Sequence, residues 1–199
     1  RWTSGGTWER VLETTAPITA LAPWDGTVAV AADHILTAEG GQVVAVPEKV
    51  QPIESLAWHP GGAWGGGPNG LYRVDGPEGA LTPAYPQDER YSWAPVEVGG
   101  LVTAGDATWF GAQNGAGAYA GGSWALYTGD EGLPYNHFTC AAAGPDGRIW
   151  LGTEKGIVRR DDGEWAYRAS RRWLPHNQVH DLAVAADGSA WVATEGGVG

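Results

Sequence analysis

A tryptophan-centred motif recurs along this chain at a nearly constant spacing. The segment 146–156 reads Asp-Gly-Arg-Ile-Trp-Leu-Gly-Thr-Glu-Lys-Gly, and 41 residues later the segment 187–197 reads Asp-Gly-Ser-Ala-Trp-Val-Ala-Thr-Glu-Gly-Gly. Earlier copies are centred on Trp109, on Trp64 and, in a degenerate form, on Val28. A period of about 40 residues is typical of repeat architectures, in which each repeat is one structural unit. The chain therefore predicts five such units.

Each unit has the pattern of four short strands. In the copy with the clearest pattern, these are predicted at 138–143, 149–153, 157–160 and 164–168. An Asp-Gly pair, the strongest short hairpin signal, joins the first two strands. The tryptophan of the second strand is placed to pack between neighbouring sheets. A four-stranded unit of this length is typical of a β-propeller blade.

The two ends of the chain carry complementary halves of one blade. The residues after Trp191 suffice only for the first two strands of a blade, whereas Gly-Gly-Thr-Trp at 5–8 matches the outer-strand motifs at 121–124 and 162–165. When the ends are joined, the spacings between the tryptophan positions add up to the 199 residues of the chain. We therefore predict an all-β fold, a five-bladed β-propeller of four-stranded antiparallel blades, whose ring is closed by a blade shared between the N- and C-termini.

The whole chain, residues 1–199, is predicted to be a single propeller domain. A fragment of a larger propeller is the alternative interpretation of the two partial blades. The predicted blades cover approximately these ranges: 16–53, 54–95, 96–137, 138–178, and 179–199 together with 1–15.

The motifs of the last two units resemble the two-component regulator propeller repeat. That pattern runs Leu-Pro-x-Asn, then an apolar strand, then Asp-Gly-x-x-Trp-x-Gly-Thr-x-x-Gly. It is present here at 133–136 and 146–156, and again at 174–177 and 187–197, where Ala193 replaces a glycine. The resemblance implies a β-propeller. In the family, such repeats usually build larger propellers that serve as sensor domains ahead of signalling modules.

Charge and hydropathy exclude two classes of partner. The net charge is −11, from 12 Lys and Arg against 23 Asp and Glu spread along the chain. Such a surface repels phosphates, so we expect no nucleic acid partner. No apolar run reaches the roughly 20 residues that span a bilayer, so we expect no membrane insertion. A secreted or periplasmic location is favoured over a cytoplasmic one.

The sequence contains none of the common catalytic or cofactor signatures. There is no nucleophile elbow, phosphate-binding loop or paired-cysteine metal spacing. The five histidines are scattered and form no ligand set with carboxylates. We therefore predict no catalytic residues, no metal site and no cofactor. The single cysteine, Cys140, lies in an alanine-rich strand and is predicted to be a small buried residue.

Polar residues on the innermost strands form the first group of candidate binding residues. Aligning the repeats places Ile18, Glu54, Val98, Thr139 and His180 at one level, near the mouth of the propeller. Glu54 and His180 facing the channel would bind a polar ligand, or act as general acid and base in a propeller-type lyase or hydrolase. The third interpretation is that these groups bind channel water.

Aromatic residues in the connections between blades form the second group. Trp93, Tyr135 and Trp173 lie beside charged residues, where flat rings would stack on a sugar. The alternative is that they cover the gaps between blades. The predicted function is thus a non-catalytic ligand-binding or interaction module, with a glycan or small molecule as ligand or a protein as partner. The enzyme, or the propeller domain of a larger enzyme or sensor, stays the alternative.

Overall fold

The computed structural model describes residues 3–24, 27–37, 42–46, 48–59, 62–74, 80–85 and 94–199. Within these ranges the chain forms five antiparallel sheets of three or four strands, and the one helical element is a 3-10 turn at Gly129–Glu131. The chain is a five-bladed β-propeller, as predicted.

The strands follow one another blade by blade, hydrogen-bonded in chain order. The first blade contains β1 (Ala20–Trp24), β2 (Thr27–Ala31), β3 (His34–Thr37) and β4 (Gln42–Ala45). The second contains β5 (Ser55–His59), β6 (Gly62–Gly67), β7 (Gly70–Val74) and β8 (Leu81–Pro83). The third contains β9 (Gly100–Ala104), β10 (Ala107–Ala112), β11 (Gly115–Ala120) and β12 (Ser123–Tyr127). The fourth contains β13 (Phe138–Ala143), β14 (Ile149–Thr153), β15 (Gly156–Asp161) and β16 (Glu164–Arg168), and the fifth contains β17 (Val179–Val184), β18 (Ala190–Thr194) and β19 (Gly197–Val198).

The Asp-Gly pairs form hairpin turns, as the sequence predicts. In the turn between β13 and β14, the carboxylate of Asp146 accepts the backbone N–H of Arg148 at 3.1 Å. In the equivalent turn of the fifth blade, Asp187 accepts the N–H of Ser189 at 2.9 Å. The glycine of the first turn, Gly147, has a φ of 80°, a left-handed conformation that a side chain disfavours.

The core lies between successive sheets. Its largest fully buried apolar side chains lie in the inner three strands of the blades or just before the first strand: Phe110, Ile35, Ile53, Leu151, Val74, Val98, Val158 and Val179. The first strands of the blades pack successively against one another, β1 on β5, β5 on β9, β9 on β13 and β13 on β17. A cavity of about 500 Å³ lies between the first strands of the first four blades and is lined mostly by small and apolar residues, including Ala141, Ala142 and Ala143. The alanines of β13 therefore occupy the crowded axis, as predicted.

The second-strand tryptophans pack between blades where a following blade covers them. Trp64 is 3% exposed and contacts Tyr119 and Trp124 of the third blade, with ring centroids 5.2 and 5.9 Å apart. Trp191, the equivalent residue of the fifth blade, is 58% exposed. The repeat therefore predicts the position of each tryptophan, while the neighbouring blade decides its burial.

The fifth blade differs from the predicted blade shared between the two ends. Its sheet contains β17, β18 and β19, and no described residue of the N-terminal segment joins it. The predicted outer strand instead follows a tight turn in which the N–H of Thr3 donates to the carbonyl of Thr7 at 2.9 Å. Among the described residues, the fifth blade therefore has three strands.

Candidate functional site

A polar cavity of about 420 Å³ opens at one end of the propeller axis, where the chain enters the first strands of the second, third and fourth blades. Its lining residues fall at equivalent positions of these blades. The lining residues are Phe138 and Thr139 in β13, Glu54, Glu97, Gly99 and His137 just before the first strands, and Pro68, Gln113 and Glu154 in the turns after the second strands. The cavity is therefore built by the repeat itself.

Three carboxylates and no basic side chain other than His137 line this cavity. The carboxylates belong to Glu54, Glu97 and Glu154, one from each contributing blade. The side-chain amide of Gln113 donates to Glu97 at 3.0 Å and holds that carboxylate in place. Like charges around one cavity attract groups that donate hydrogen bonds or carry positive charge. The mouth is therefore an acceptor-rich, acidic surface.

Two of the lining residues have a strained backbone. Glu97 has a φ of 49° and His137 a φ of 59°, which places both non-glycine residues in the left-handed region. That conformation costs roughly 1–2 kcal/mol per residue for an L-amino acid with a side chain. The two residues hold equivalent positions, directly before the first strands of neighbouring blades. Such strain is often concentrated where a side chain must be held toward a ligand.

Thr139 and His180 are the extra residues of two β-bulges. Phe138 pairs with Thr153 and Cys140 with Gly152, so Thr139 has no partner of its own in β14. The same irregularity separates Val179 from Asp181 in β17 and leaves His180 unpaired in the ladder. A bulge redirects a side chain and is often found beside a functional site. The hydroxyl of Thr139 donates to the carbonyl of Val179 at 2.8 Å, which leaves its oxygen as an acceptor.

The structure corrects one residue in the predicted alignment of the inner strands, and the bulge explains why. In the second blade, the N–H of Glu54 donates to the carbonyl of Gly66 at 2.7 Å. In the third blade, the equivalent carbonyl, that of Gly111, accepts the N–H of Gly99 at 3.2 Å. Gly99 and not Val98 is therefore the counterpart of Glu54 in the third blade. Val98 is 1% exposed and belongs to the core. The extra residue in β13 shifts the alignment by one position, which the repeat spacing alone does not reveal.

His180 does not share the cavity with Glu54. The lining contains Glu54 and Thr139, whereas His180 is exposed on β17 and contributes to none of the cavities described here. General acid–base chemistry needs both groups within hydrogen-bond reach of one substrate. His180 is therefore not among the residues that line the cavity with Glu54.

Two of the predicted aromatic residues, Tyr135 and Trp173, line clefts other than the mouth, although the ring of Tyr135 lies 6.3 Å from that of His137. Tyr135 lines a separate cleft of about 250 Å³ and stacks on Tyr167, with ring centroids 6.4 Å apart. Trp173 is 54% exposed, and the guanidinium of Arg168 lies 4.9 Å from its ring centroid. Trp93, the third predicted aromatic, lies outside the described residues. The candidate residues thus form at least three distinct surfaces.

Glu97, Gln113, His137 and Glu154 are site residues that sequence reasoning missed. Gln113 and Glu154 follow the second strand by the same number of residues as Pro68 does in the second blade. The repeat therefore contained a signal for them, since turns at equivalent positions converge at the same end of the axis. Their convergence depends on the blade packing, which only the structure supplies.

The described part of the chain contains neither a cluster of metal ligands nor a membrane-spanning helix. No group of three or more His, Cys, Asp or Glu side chains there could hold a metal ion. Within the same ranges, no helix is both long and apolar enough to cross a bilayer. Cys140 is buried, and this burial raises the pKa of its thiol to about 12. A thiol with that pKa is a poor nucleophile at neutral pH.

Comparisons with solved structures support the fold. The extracellular domain of a proposed hybrid two-component system from B. thetaiotaomicron matches with a TM-score of 0.72 at 14% identity, over 92% of this chain and 27% of that one. The designed protein Ika8 matches with a TM-score of 0.65 at 18% identity, over 91% and 57%. PorZ of Porphyromonas gingivalis, a surface component of the type-IX secretion system, matches with a TM-score of 0.64 at 14% identity, over 89% and 31%.

This chain spans less than a third of the two natural proteins among these, and identities this low indicate a common fold alone. No curated protein sequence matches the chain. The two-component regulator propeller family matches residues 132–155, which contain the Leu-Pro-x-Asn and Asp-Gly-x-x-Trp-x-Gly-Thr motifs. Residues 132–155 thus match the two-component regulator propeller repeat, and the chain that carries them is a five-bladed β-propeller.

Proposed function

We propose that this propeller is a non-catalytic binding module, and that a small carbohydrate binds in the acidic cavity at the mouth of the axis. The observation that carries the proposal is the convergence of Glu54, Glu97 and Glu154, from three blades, on one cavity of about 420 Å³. A volume of this size lies within the usual range for small-molecule sites, about 300–1,000 Å³.

The lining suits a ligand rich in hydroxyl donors. Carboxylates accept hydrogen bonds strongly, and a charged acceptor forms a bond roughly twice as strong as a neutral one. The oxygen of Thr139 and the imidazole of His137 add further polar groups on the same surface. A sugar presents several hydroxyls in fixed directions, which matches acceptors held on separate blades. A ligand that also carries an ammonium group would gain from the same carboxylates.

Binding without catalysis is the better supported reading of this cavity. Catalysis by Glu54 and His180 gains no support, because His180 lies outside the lining. The hydroxyl of Thr139 donates to the carbonyl of Val179 rather than to a base, which is not the arrangement that covalent catalysis requires. A role as a sensory propeller domain is compatible with binding, and the similarity to an extracellular domain of a two-component system favours that setting.

Isothermal titration calorimetry with a panel of neutral monosaccharides, disaccharides and amino sugars tests the proposal. Saturable binding that is weakened at least tenfold in Glu97→Gln and in Glu154→Gln would support it. Glu164→Gln is the matched control, since Glu164 is exposed on β16 and lies outside the cavity. Binding lost in Trp173→Ala but kept in the two cavity variants would move the site to Trp173. If no sugar binds, the carbohydrate proposal fails and a protein partner becomes the better hypothesis.

A further inference from the structure

A second cavity, of about 250 Å³, lies along the connection between the third and fourth blades, and we call it the Tyr135 cleft. The connection leaves the outer strand β12 and runs back to the axis, where it enters β13 at the acidic mouth. The cleft is lined by residues of this connection and of the turn after β10, among them Asn114, Gly115, Thr128, Leu133, Tyr135 and Asn136. It therefore lies at the same end of the propeller as the mouth.

The Tyr135 cleft and the mouth are built from the same two pieces of chain. In the turn after β10, Gln113 lines the mouth and the next residue, Asn114, lines the cleft. In the connection, Asn136 lines the cleft and the next residue, His137, lines the mouth. The ring centroids of Tyr135 and His137 are 6.3 Å apart. The two cavities are therefore neighbours, and His137 lies at the boundary between them.

The side-chain amide of Asn136 is available to a ligand. Its repeat equivalent in the next connection, Asn177, accepts the backbone N–H of Ser170 at 2.6 Å and so holds that connection in place. Asn136 is half-buried, and its side chain forms no hydrogen bond with any residue that the structure describes. An asparagine amide has an acceptor oxygen and two donor hydrogens. The structural role of this asparagine in the repeat is thus absent at the cleft, where its polar groups are free.

The walls of the cleft are held in place by their own contacts. The ring of Tyr135 stacks on Tyr167 with an interplanar angle of 19°, and the hydroxyl of Tyr167 donates to the carbonyl of Lys155 at 2.7 Å. At the start of the connection, the N–H and the hydroxyl of Thr128 both donate to the carboxylate of Glu131 at 2.8 Å. A site that is ordered before binding loses less entropy when a ligand arrives. The cleft is therefore preorganised.

The chemistry of the cleft differs from that of the mouth and suits a neutral sugar unit. None of the described residues that line the cleft is charged, whereas three carboxylates line the mouth. A sugar ring has C–H groups on its faces and hydroxyls at its edge. The flat ring of Tyr135 can pack against such a face, while the amide of Asn136 can bind the hydroxyls. The buried side chain of Leu133 adds apolar surface to the same lining.

We propose that the mouth and the Tyr135 cleft are successive subsites of one oligosaccharide site. A terminal sugar unit lies in the mouth, and the chain runs outward past His137, so that the following units pack on Tyr135 and bind Asn136. This inference rests on the proposed function, since it starts from a sugar in the mouth. The ligand is then a linear oligosaccharide of at least two units, with a neutral or amino sugar at the end that enters the mouth.

Isothermal titration calorimetry with sugars of increasing length tests the inference. The two series are glucose, maltose and maltotriose, and glucosamine with its β-1,4-linked dimer and trimer. In at least one series we expect the trimer to bind at least tenfold more tightly than the monosaccharide. Asn136→Ala should remove most of this gain and leave the monosaccharide affinity as in the parent. Asn177→Ala is the matched control, because Asn177 holds the same repeat position outside both cavities, and it should keep the gain.

A second pair of variants tests the aromatic wall of the cleft. Tyr135→Ala removes the ring and should lose the gain with length, whereas Tyr135→Phe keeps the ring and should retain most of it. Tyr135 also packs against buried core residues of the third and fourth blades. Urea unfolding of Tyr135→Ala therefore establishes that the variant is folded before its binding is measured, and Asn136→Ala tests the same cleft without removing a core contact.

The outcomes separate this inference from the proposed function. Equal affinities for monosaccharide and trimer in the parent, or an undiminished gain in Asn136→Ala, would overturn the two subsites and leave monosaccharide binding in the mouth intact. Trimer binding that is unchanged in Glu97→Gln would overturn the shared site, because the mouth would then contribute nothing. If none of these sugars binds, both the inference and the carbohydrate proposal fail.

Discussion

The side chain of Thr139 donates a hydrogen bond to the carbonyl of Val179 across the junction between the fourth and fifth blades, over 2.8 Å. Thr19 makes the corresponding bond from the first blade to the carbonyl of Ile53 in the second, over 2.5 Å. The two bonds join first strands whose own backbone groups pair within their blades. Polar side chains near the axis therefore hold neighbouring blades in register as well as lining the mouth.

Replacing Thr139 with valine should destabilise the propeller by about 1–3 kcal/mol, because it leaves the partly buried carbonyl of Val179 without its donor. Urea denaturation followed by tryptophan fluorescence measures this difference. Thr82→Val is the control, since Thr82 is exposed and bonds within its own blade. Equal free energies of unfolding for parent and Thr139→Val would show that the bond between blades contributes nothing.

In the second, third and fourth blades, the following blade requires the glycine that lies two residues after the second-strand tryptophan. A methyl group added to Gly66 would lie 2.6 Å from Val98, and one added to Gly111 would lie 2.6 Å from Phe138. The same group on Gly152 would lie 2.7 Å from Val179. Each contact is made by the buried residue at the start of the next blade. Close packing between sheets thus explains the glycine of the repeat motif.

Gly111→Ala should therefore destabilise the protein by about 1–3 kcal/mol through overpacking against Phe138. The fifth blade offers an internal control, because Ala193 already holds this position there. Ile18, the counterpart of Val98 in the first blade, is 54% exposed, so we expect no comparable overpacking at Ala193. Ala193→Gly should change the free energy of unfolding by less than about 1 kcal/mol, which is the entropic cost of placing glycine instead of alanine in a strand. Thermal and urea unfolding of both variants measure these changes. Equal losses of unfolding free energy in Gly111→Ala and Ala193→Gly would contradict the role of the following blade.

The departure at Ala193 illustrates what the sequence can reveal. The repeat predicted five blades, the hairpins at Asp-Gly pairs and the placement of the tryptophans, because each depends on local pattern and spacing. The repeat also showed that Ala193 replaces the glycine of the motif. Whether alanine is tolerated at this position depends on how closely a neighbouring blade packs against it. Contacts between blades are not local, so the sequence alone did not explain the exception.

The candidate site was predictable only in part, for a similar reason. Glu54 and Thr139 were placed at the mouth from the alignment of inner strands, and both line the cavity. His180 occupies an equivalent bulge but belongs to the fifth blade, which contributes no residue to this lining. Glu97 and His137 line the cavity and have a left-handed backbone conformation, which no sequence pattern predicted. Bulges and strained connections follow from packing between blades.

Cys140 should be unreactive in the folded protein. Burial raises the pKa of its thiol to about 12, against an ordinary value of 9.0, so the nucleophilic thiolate is scarce at pH 8. We expect labelling by an aromatic disulfide reagent to proceed only as fast as the protein unfolds, and to become rapid in denaturant. Because the folded state holds the proton more tightly, the contribution to stability is present below about pH 9 and is lost as the pH rises toward 12. Fast labelling of the native protein at pH 8 would contradict the buried position.

The hairpin aspartates should make stability depend on pH at the acid end. The pKa of Asp146 and that of Asp187 are both lowered, chiefly by the backbone N–H groups of Arg148 and Ser189 that donate to the carboxylates. A lowered folded-state pKa means that the stabilising contribution is present above the ordinary value of 3.8 and is lost as the pH falls through the folded-state value. Asp187→Asn should therefore flatten the dependence of the unfolding midpoint on pH below about 4, since the amide does not titrate. Asp106→Asn, in the exposed turn between β9 and β10, serves as the control, and an acid limb unchanged by Asp187→Asn would show that this hairpin bond does not couple to folding.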